Sequence, residues 1–151
     1  MTARAGLRVS EAVDLDVGDV QIHTRSGWAT VRQGKGLKER RVPLSPLARR
    51  ALDAYLEVRP EAGTSALFLT KNWQRVSERA VQQMVESAAQ RAGIEQKVTP
   101  HILRHTFATR FLAKGGDLAT LRDILGHANV ATTSRYLHSN AARMQGMVEE
   151  L

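Results

Sequence analysis

Five side chains in this sequence have the types and the spacing that phosphoryl transfer requires. Tyr136 stands near the C-terminus, His127 lies nine residues before it, and Arg104 lies a further 23 residues back. Arg8 lies near the N-terminus in Gly-Leu-Arg-Val-Ser-Glu, and Lys35 follows in Gly-Lys-Gly-Leu-Lys-Glu-Arg. A phenol can act as a nucleophile, and fixed cations can neutralise the charge that develops on phosphorus. The set therefore predicts phosphoryl transfer that needs neither a metal nor a cofactor.

His101 adds a second polar group close to Arg104. The two residues are three positions apart in His-Ile-Leu-Arg-His, so on a helix they share a face. Leu103, Phe107 and Phe111 form a neighbouring apolar stripe that would anchor this helix in the core and turn the polar pair toward a cleft. Taken alone, the same pattern is more often a capping histidine beside a solvated arginine.

A basic segment surrounds Lys35, and Glu39 is its one acid. Its other cations, which are candidate DNA-binding residues, are Arg32, Lys38, Arg40 and Arg41. Such a segment is either an exposed charged turn or a finger that reaches into a DNA groove. In the second case Lys35 is suited to giving a proton to a departing oxygen, because an arginine is too basic to do so.

Glu11 lies three residues after Arg8. The pair is either a surface ion pair or a support in which Glu11 holds Arg8 or a histidine in place. Likewise, His127 after Gly126 is typical of a simple partner for a helix end, and Tyr136 on an amphipathic helix is typical of a core residue. Each residue alone has such an ordinary explanation, whereas their order and spacing together favour chemistry.

The composition fits one basic globular domain. The chain has 151 residues, 42% of them hydrophobic, and a formal net charge of +7. That charge indicates an anionic partner such as nucleic acid, although a merely soluble basic protein would share it. The absence of cysteine excludes disulfide scaffolds, thiolate zinc sites and cysteine nucleophiles. We find no apolar run long enough for a membrane span and no signal-peptide core, and we expect a cytoplasmic protein.

Apolar spacing, capping residues and turn residues predict an α+β fold that is mainly helical, with a small three-stranded antiparallel sheet on one side. The predicted strands are Asp19–Thr24, Trp28–Gln33 and Glu39–Leu44, with Lys35 on the second turn. The predicted helices are residues 10–14 with Ser10 as the cap, 47–58 between Pro46 and Pro60, 78–92 after the Ser77 cap, 101–114 after Pro100, 118–125 after the Asp117 cap, a short helix after Asn129 that carries Tyr136, and 140–151.

Four segments resemble the tyrosine recombinase (phage integrase) family, particularly its Xer-like bacterial members. Gly-Leu-Arg-Val-Ser-Glu is similar to the family's first arginine box, and Gly-Lys-Gly-Leu-Lys-Glu-Arg-Arg-Val-Pro-Leu to its β-hairpin lysine. Thr-Pro-His-Ile-Leu-Arg-His is similar to its HxxR box, and Leu-Gly-His-Ala-Asn-Val-Ala-Thr-Thr-Ser-Arg-Tyr to its final box. The four segments occur in the family's order and span nearly the whole chain. The resemblance implies a site-specific DNA recombinase with the family's helical catalytic domain.

The resemblance also implies a role for each residue. Tyr136 would attack a DNA phosphate and form a 3′-phosphotyrosine bond. Arg8 and Arg104 would bind the non-bridging oxygens, and His127 would donate a hydrogen bond to the same phosphate. Lys35 would be the general acid for the 5′-oxygen. His101 would assist proton transfer at the tyrosine, and no metal, ATP or other cofactor would take part.

The implied partners are double-stranded DNA and further copies of the chain. In the family the helix after the tyrosine docks on a neighbouring subunit, and here the tail at 137–151 has an apolar stripe within 140–151: Met144, Met147, Val148 and Leu151. A tetramer on DNA is therefore expected, although this stripe would also suit packing on its own domain.

Family members carry an N-terminal DNA-clamping domain before the first arginine box, so residues 1–151 are interpreted as a catalytic domain that lacks that domain and its own first helix. Two other functions stay open. One is a catalytically silent DNA-binding or regulatory remnant, and the other is supercoil relaxation by the type IB topoisomerase route.

Overall fold

The computed structural model describes residues 1–32 and 39–126. Within these ranges the helices are α1 (Thr2–Ala5), α2 (Val9–Asp14), α3 (Pro46–Val58), α4 (Glu78–Arg91), α5 (Pro100–Ala113) and α6 (Leu118–Leu125). The strands are β1 (Val20–Ile22), β2 (Gly27–Val31) and β3 (Arg40–Pro43), and a 3₁₀ turn at Val17–Asp19 precedes β1. None of the described helices has the length and apolarity needed to cross a bilayer.

The three strands form one antiparallel sheet in the order β1–β2–β3, as predicted. Alternate side chains point to opposite faces of a strand. Ala29 and Val31 of β2 and Val42 of β3 are accordingly buried on the inner face, while Trp28 and Arg41 are exposed on the outer face. Because of this alternation, Arg40 and Arg41, which follow Lys35 in the basic segment, point to opposite faces of β3.

Local capping starts most of the longer helices where the sequence indicates. The predicted caps Ser77 and Asp117 accept hydrogen bonds from the backbone N–H groups of Ala80 at 3.2 Å and Thr120 at 2.8 Å. Pro46 and Pro100 occupy first-turn positions, where the missing N–H costs nothing. These residues fix where α3 to α6 begin, and therefore where the helices place the residues of the site.

The prediction that Ser10 caps the second helix is wrong. The helix begins at Val9, and Arg8 occupies the capping position. The Glu11 carboxylate instead accepts the backbone N–H of Arg8 at 2.7 Å. A glutamate three residues after a cap can reach back to that N–H, whereas Ser10 already lies inside the first turn.

The core lies between the inner face of the sheet and helices α1, α2, α3 and α5. Leu7, Leu15 and Leu52 are among its buried residues, and Phe107 of α5 packs against them. Gly6 ends α1 with a φ of 68°, and a Cβ at this position would come within 2.7 Å of the Phe107 ring. Only glycine allows both this conformation and this close approach. The turn brings the Gly6 carbonyl against α5, where it accepts a hydrogen bond from Arg104.

Candidate active site

Three arginines from three different elements meet at the carboxylate of Glu11. Arg8, at the start of α2, donates to Glu11 Oε1 through Nη1 at 2.8 Å. Arg40, on β3, donates to Glu11 Oε2 through Nη2 at 2.8 Å. Arg104, on α5, places Nη1 3.8 Å from the same Oε2. Residues far apart in the sequence therefore share one anionic centre, with Arg8 Nη1 at one oxygen of Glu11 and Arg104 Nη1 nearest the other.

The same three arginines bind the last two carbonyls of α6 and the carbonyl of Gly126, which follows it. Arg40 Nε donates to Ile124 O at 3.0 Å, Arg104 Nη2 to Leu125 O at 2.8 Å, and Arg8 Nη2 to Gly126 O at 3.3 Å. The last carbonyls of a helix have no partner within the helix, and cations are favoured there by the helix dipole. Three guanidinium groups thus hold the point from which the chain continues to His127.

Charge and burial differ among these four side chains. The arginine side chains are 42% exposed for Arg8, 12% for Arg40 and 6% for Arg104, and the Glu11 side chain is 9% exposed. Three guanidinium groups and one carboxylate give the cluster a net positive charge. Burial favours the neutral form of Glu11, but hydrogen bonds from Arg40 and from the Arg8 backbone outweigh this effect and hold the pKa of Glu11 below its usual range. The cluster is therefore a preformed positive centre that suits an anion.

The other predicted catalytic residues differ in what the structure shows of them. His101 lies on the first turn of α5 and is exposed, whereas Arg104 on the same helix is buried. The predicted pair facing one open cleft is therefore split between surface and interior. Lys35, His127 and Tyr136 lie outside the described residues, as do Lys38 and the tail 137–151.

The predicted DNA-binding arginines fall into two groups. Arg41 is exposed on the outer face of the sheet, with its guanidinium 5.3 Å from the centre of the Trp28 ring. Arg32 is also exposed, and its guanidinium lies 2.6 Å from an Asp19 carboxylate oxygen. Both remain available as predicted DNA contacts.

Arg40 does not fit the DNA-contact prediction, because its guanidinium points inward to Glu11 and Ile124. Strand alternation explains the difference, since Arg40 shares the inner face with Val42 and Arg41 faces outward. The alternation of one strand was the signal in the sequence that distinguished these two neighbours.

A model of the phage integrase family matches residues 1–143. The chain belongs to the phage integrase family. A curated relative, the tyrosine recombinase XerD of Mycobacterium tuberculosis (strain CDC 1551 / Oshkosh), is 45% identical over 137 residues, covering 87% of this chain and 43% of XerD. The tyrosine recombinase XerC of Thermodesulfovibrio yellowstonii is 39% identical over 142 residues, covering 89% of this chain and 46% of XerC. This phage integrase family chain therefore spans less than half the length of these relatives.

Solved structures agree with the fold of this phage integrase family member. A crystal structure of XerA recombinase aligns with a TM-score of 0.86 and 37% identity, covering 98% of this chain and 54% of XerA. The XerH site-specific recombinase, bound to palindromic difH substrate in a post-cleavage complex, aligns with a TM-score of 0.81 and 27% identity, covering 97% of this chain and 42% of XerH. The catalytic domain of bacteriophage HP1 integrase aligns with a TM-score of 0.63 and 29% identity, over 98% and 76% of the two chains. The predicted fold class is confirmed.

Proposed function

We propose that this chain is the catalytic domain of a site-specific DNA recombinase that cleaves and rejoins strands through a 3′-phosphotyrosine intermediate. The observation that carries the proposal is the convergence of Arg8 and Arg104 on Glu11, at the end of α6 that leads to His127. Membership of the phage integrase family supports it, as do relatives named tyrosine recombinases.

In the proposed cleavage step, the Tyr136 hydroxyl oxygen attacks a DNA phosphorus atom. The bond between phosphorus and the 5′-oxygen breaks as the new bond between phosphorus and the tyrosine oxygen forms. His101 takes the proton of the phenol, and Lys35 gives a proton to the departing 5′-oxygen. The products are a 3′-phosphotyrosine and a free 5′-hydroxyl, so no atom or charge is left unaccounted for.

Charge on the phosphate rises in the transition state, and Arg8, Arg104 and His127 are proposed to stabilise it. Fixed cations are effective here because they are already oriented before the reaction begins. Arg8 is 42% exposed and would meet the phosphate from the solvent side, whereas Arg104 is 6% exposed and would add its charge from the interior of the protein.

Rejoining would reverse the chemistry with a different hydroxyl. A 5′-hydroxyl from a second duplex attacks the phosphotyrosine, which restores a phosphodiester and releases Tyr136. The covalent bond conserves the energy of the phosphodiester, so the proposed cycle consumes no ATP, needs no metal and passes through a Holliday junction. A second duplex requires further copies of the protein, and we propose a tetramer on DNA joined through the helix predicted at 140–151.

DNA as the substrate is supported by the net charge of +7 and by exposed cations on the sheet and its margin, Arg41 and Arg32. The structure of the XerH site-specific recombinase bound to its difH substrate points to the same class of ligand. A DNA substrate would place the protein at the nucleoid of a bacterial cell.

The test is capture of the covalent intermediate. The protein is incubated with nicked duplexes of randomised central sequence, in which a cleaved strand loses its 5′-hydroxyl fragment and cannot be rejoined. We expect a protein–DNA adduct that survives a denaturing gel and is absent in Tyr136→Phe. Sequencing the trapped strands would give the preferred site.

A catalytically silent DNA-binding remnant is the second candidate, because the net charge of +7 and the exposed Arg41 support DNA binding without requiring cleavage. It predicts that the chain retards duplex DNA in a native gel but gives no adduct at any protein concentration. Adduct formation by both the parent protein and Tyr136→Phe would contradict the proposed nucleophile instead.

A further inference from the structure

Arg40 is a buried cation on the inner face of β3. Its Nη2 binds Glu11 and its Nε binds the Ile124 carbonyl. Its guanidinium also lies against Gly126, where a Cβ would come within 2.7 Å of the Arg40 Cζ. One side chain therefore joins the sheet, the start of α2 and the end of α6.

Burial of the Arg40 guanidinium has a cost in folding free energy. Arg40 Nη1 is buried and has no hydrogen-bond partner within residues 1–32 and 39–126, and an unsatisfied buried donor in a native protein calls for an explanation. A well-packed hydrophobic side chain in place of a buried ion pair often gives equal or higher stability. Stability alone therefore does not account for a guanidinium at this position.

Arg40 and Arg104 approach the same oxygen of Glu11. Arg40 is 2.8 Å from Oε2 and forms a hydrogen bond, whereas Arg104 is 3.8 Å from Oε2, beyond hydrogen-bond length. Without Arg40, this oxygen would keep the Arg8 backbone N–H as its hydrogen-bond donor, and its attraction for Arg104 would no longer be shared with a second guanidinium. Arg104, which the Gly6 and Leu125 carbonyls hold, would then be drawn by up to roughly 1 Å toward Glu11, a displacement that can cost about 100-fold in rate when it misplaces a reacting group.

We propose that Arg40 is a positioning residue for DNA cleavage. It competes with Arg104 for Glu11 Oε2, and it binds the Ile124 carbonyl at the end of α6, from which the sequence reaches His127 through Leu125 and Gly126. Arg40 itself does not touch the substrate. This inference rests on the proposed function, because it assigns Arg40 a part in the same reaction.

The experiment compares Arg40 with its neighbour Arg41, which has the same chemistry but faces outward. Arg40→Met, Arg40→Lys and Arg41→Met are each mixed in excess with the nicked duplex trapped most efficiently by the parent protein. Adduct formation is followed in single-turnover reactions, which give a rate constant and an amplitude, and DNA affinity is measured by fluorescence anisotropy. A partly unfolded variant loses amplitude, whereas a misplaced active-site group lowers the rate constant.

We expect Arg40→Met to lower the rate constant about 100-fold at saturating DNA, with less than about a threefold change in affinity. Arg40→Lys keeps the charge but lacks the fork that binds Glu11 and Ile124 together, so we expect a smaller loss of about tenfold. Arg41→Met should instead weaken DNA binding, because it removes a predicted DNA contact on the outer face of the sheet.

Three results would overturn the inference. Rate constants equal to that of the parent protein in both Arg40 variants would remove Arg40 from the reaction while the proposed function stands. A loss confined to amplitude would reduce Arg40 to a folding role. The absence of any adduct with the parent protein would overturn the proposed function and this inference together. Should Arg40→Met fail to fold, the rate constant of Arg40→Lys decides, and an unchanged value refutes the inference.

Discussion

Replacement of Glu11 by glutamine tests the charge arrangement at the centre of the site. Glutamine has the shape of glutamate but carries no charge and offers one acceptor oxygen in place of two. Glu11 accepts from the Arg8 backbone N–H at 2.7 Å, from Arg8 Nη1 at 2.8 Å and from Arg40 Nη2 at 2.8 Å. In Glu11→Gln, the amide NH₂ would have to face one of these donors, so at least one of the bonds is lost.

The expected magnitude follows from the burial of the partners. A hydrogen bond to a charged group contributes about 1.5–3 kcal/mol, and breaking a buried ion pair costs about 3–5 kcal/mol. Arg40 is nearly buried, but Arg8 is 42% exposed and its interaction is screened by solvent. We therefore expect Glu11→Gln to lower the free energy of unfolding at pH 7 by about 2–4 kcal/mol, a large part of the roughly 5–15 kcal/mol typical of a domain.

The loss should also depend on pH. The pKa of Glu11 is lowered in the folded protein relative to an unfolded value of about 4.3. The carboxylate therefore stabilises the fold fully above the unfolded pKa, and this contribution disappears as the pH falls through the folded pKa. The difference in unfolding free energy between the parent protein and Glu11→Gln should be constant near neutrality and should narrow below about pH 4.

The assay is urea unfolding followed by circular dichroism at a series of pH values. Glu39→Gln is the matched control, because Glu39 is 64% exposed and lies 3.6 Å from the Arg32 guanidinium. An exposed pair of this kind contributes about 0–1 kcal/mol. If Glu11→Gln cost no more than Glu39→Gln, or if its effect were the same at pH 3 and pH 7, the charge cluster would not have the energetic role inferred from its geometry.

Three further predictions concern backbone strain, proton donation and DNA binding. Gly126→Ala should lower the unfolding free energy, measured in urea titrations, by more than Gly93→Ala does. Both glycines have a positive φ, for which alanine costs about 1–2 kcal/mol, but only at Gly126 would the added Cβ meet a side chain, that of Arg40. Lys35→Ala should slow adduct formation with a normal 5′-oxygen by about 100-fold or more and spare a 5′-thio leaving group, which needs no proton; equal losses in single-turnover rates would exclude the acid role. DNA affinity measured by anisotropy should fall steeply with rising salt, because phosphate contacts release counterions, and a flat response would contradict backbone binding.

Local signals in the sequence were sufficient for most of the fold. Ser77 and Asp117 cap helices because their side chains reach an N–H only three residues away, and Pro46 and Pro100 mark first turns for equally local reasons. The alternation of buried and exposed residues placed the three strands, with errors of one or two residues at their ends. Such features depend on neighbours along the chain, which the sequence shows directly.

The site itself depended on contacts that the sequence does not show. Glu11 was predicted to support Arg8 or a histidine, but in the structure it is the common partner of Arg8, Arg40 and Arg104. Arg40 is grouped by sequence with the candidate DNA-binding residues because it lies with them in one basic segment around Lys35. The binding of two α6 carbonyls and the Gly126 carbonyl by three arginines arises only from tertiary packing, and no spacing rule predicts it.

The opposite orientations of Arg40 and Arg41 on β3 have a consequence for where this domain tolerates inserted residues. The two arginines are adjacent in sequence. The arginine that lies two residues before Val42 shares its inner face, and the one directly before Val42 faces outward. A residue added between β2 and β3 leaves that spacing intact, whereas one inserted between Arg41 and Val42 would exchange the two arginines. Homologues with this chemistry should therefore vary freely in hairpin length while the two-residue step from the inward arginine to the buried valine stays constant.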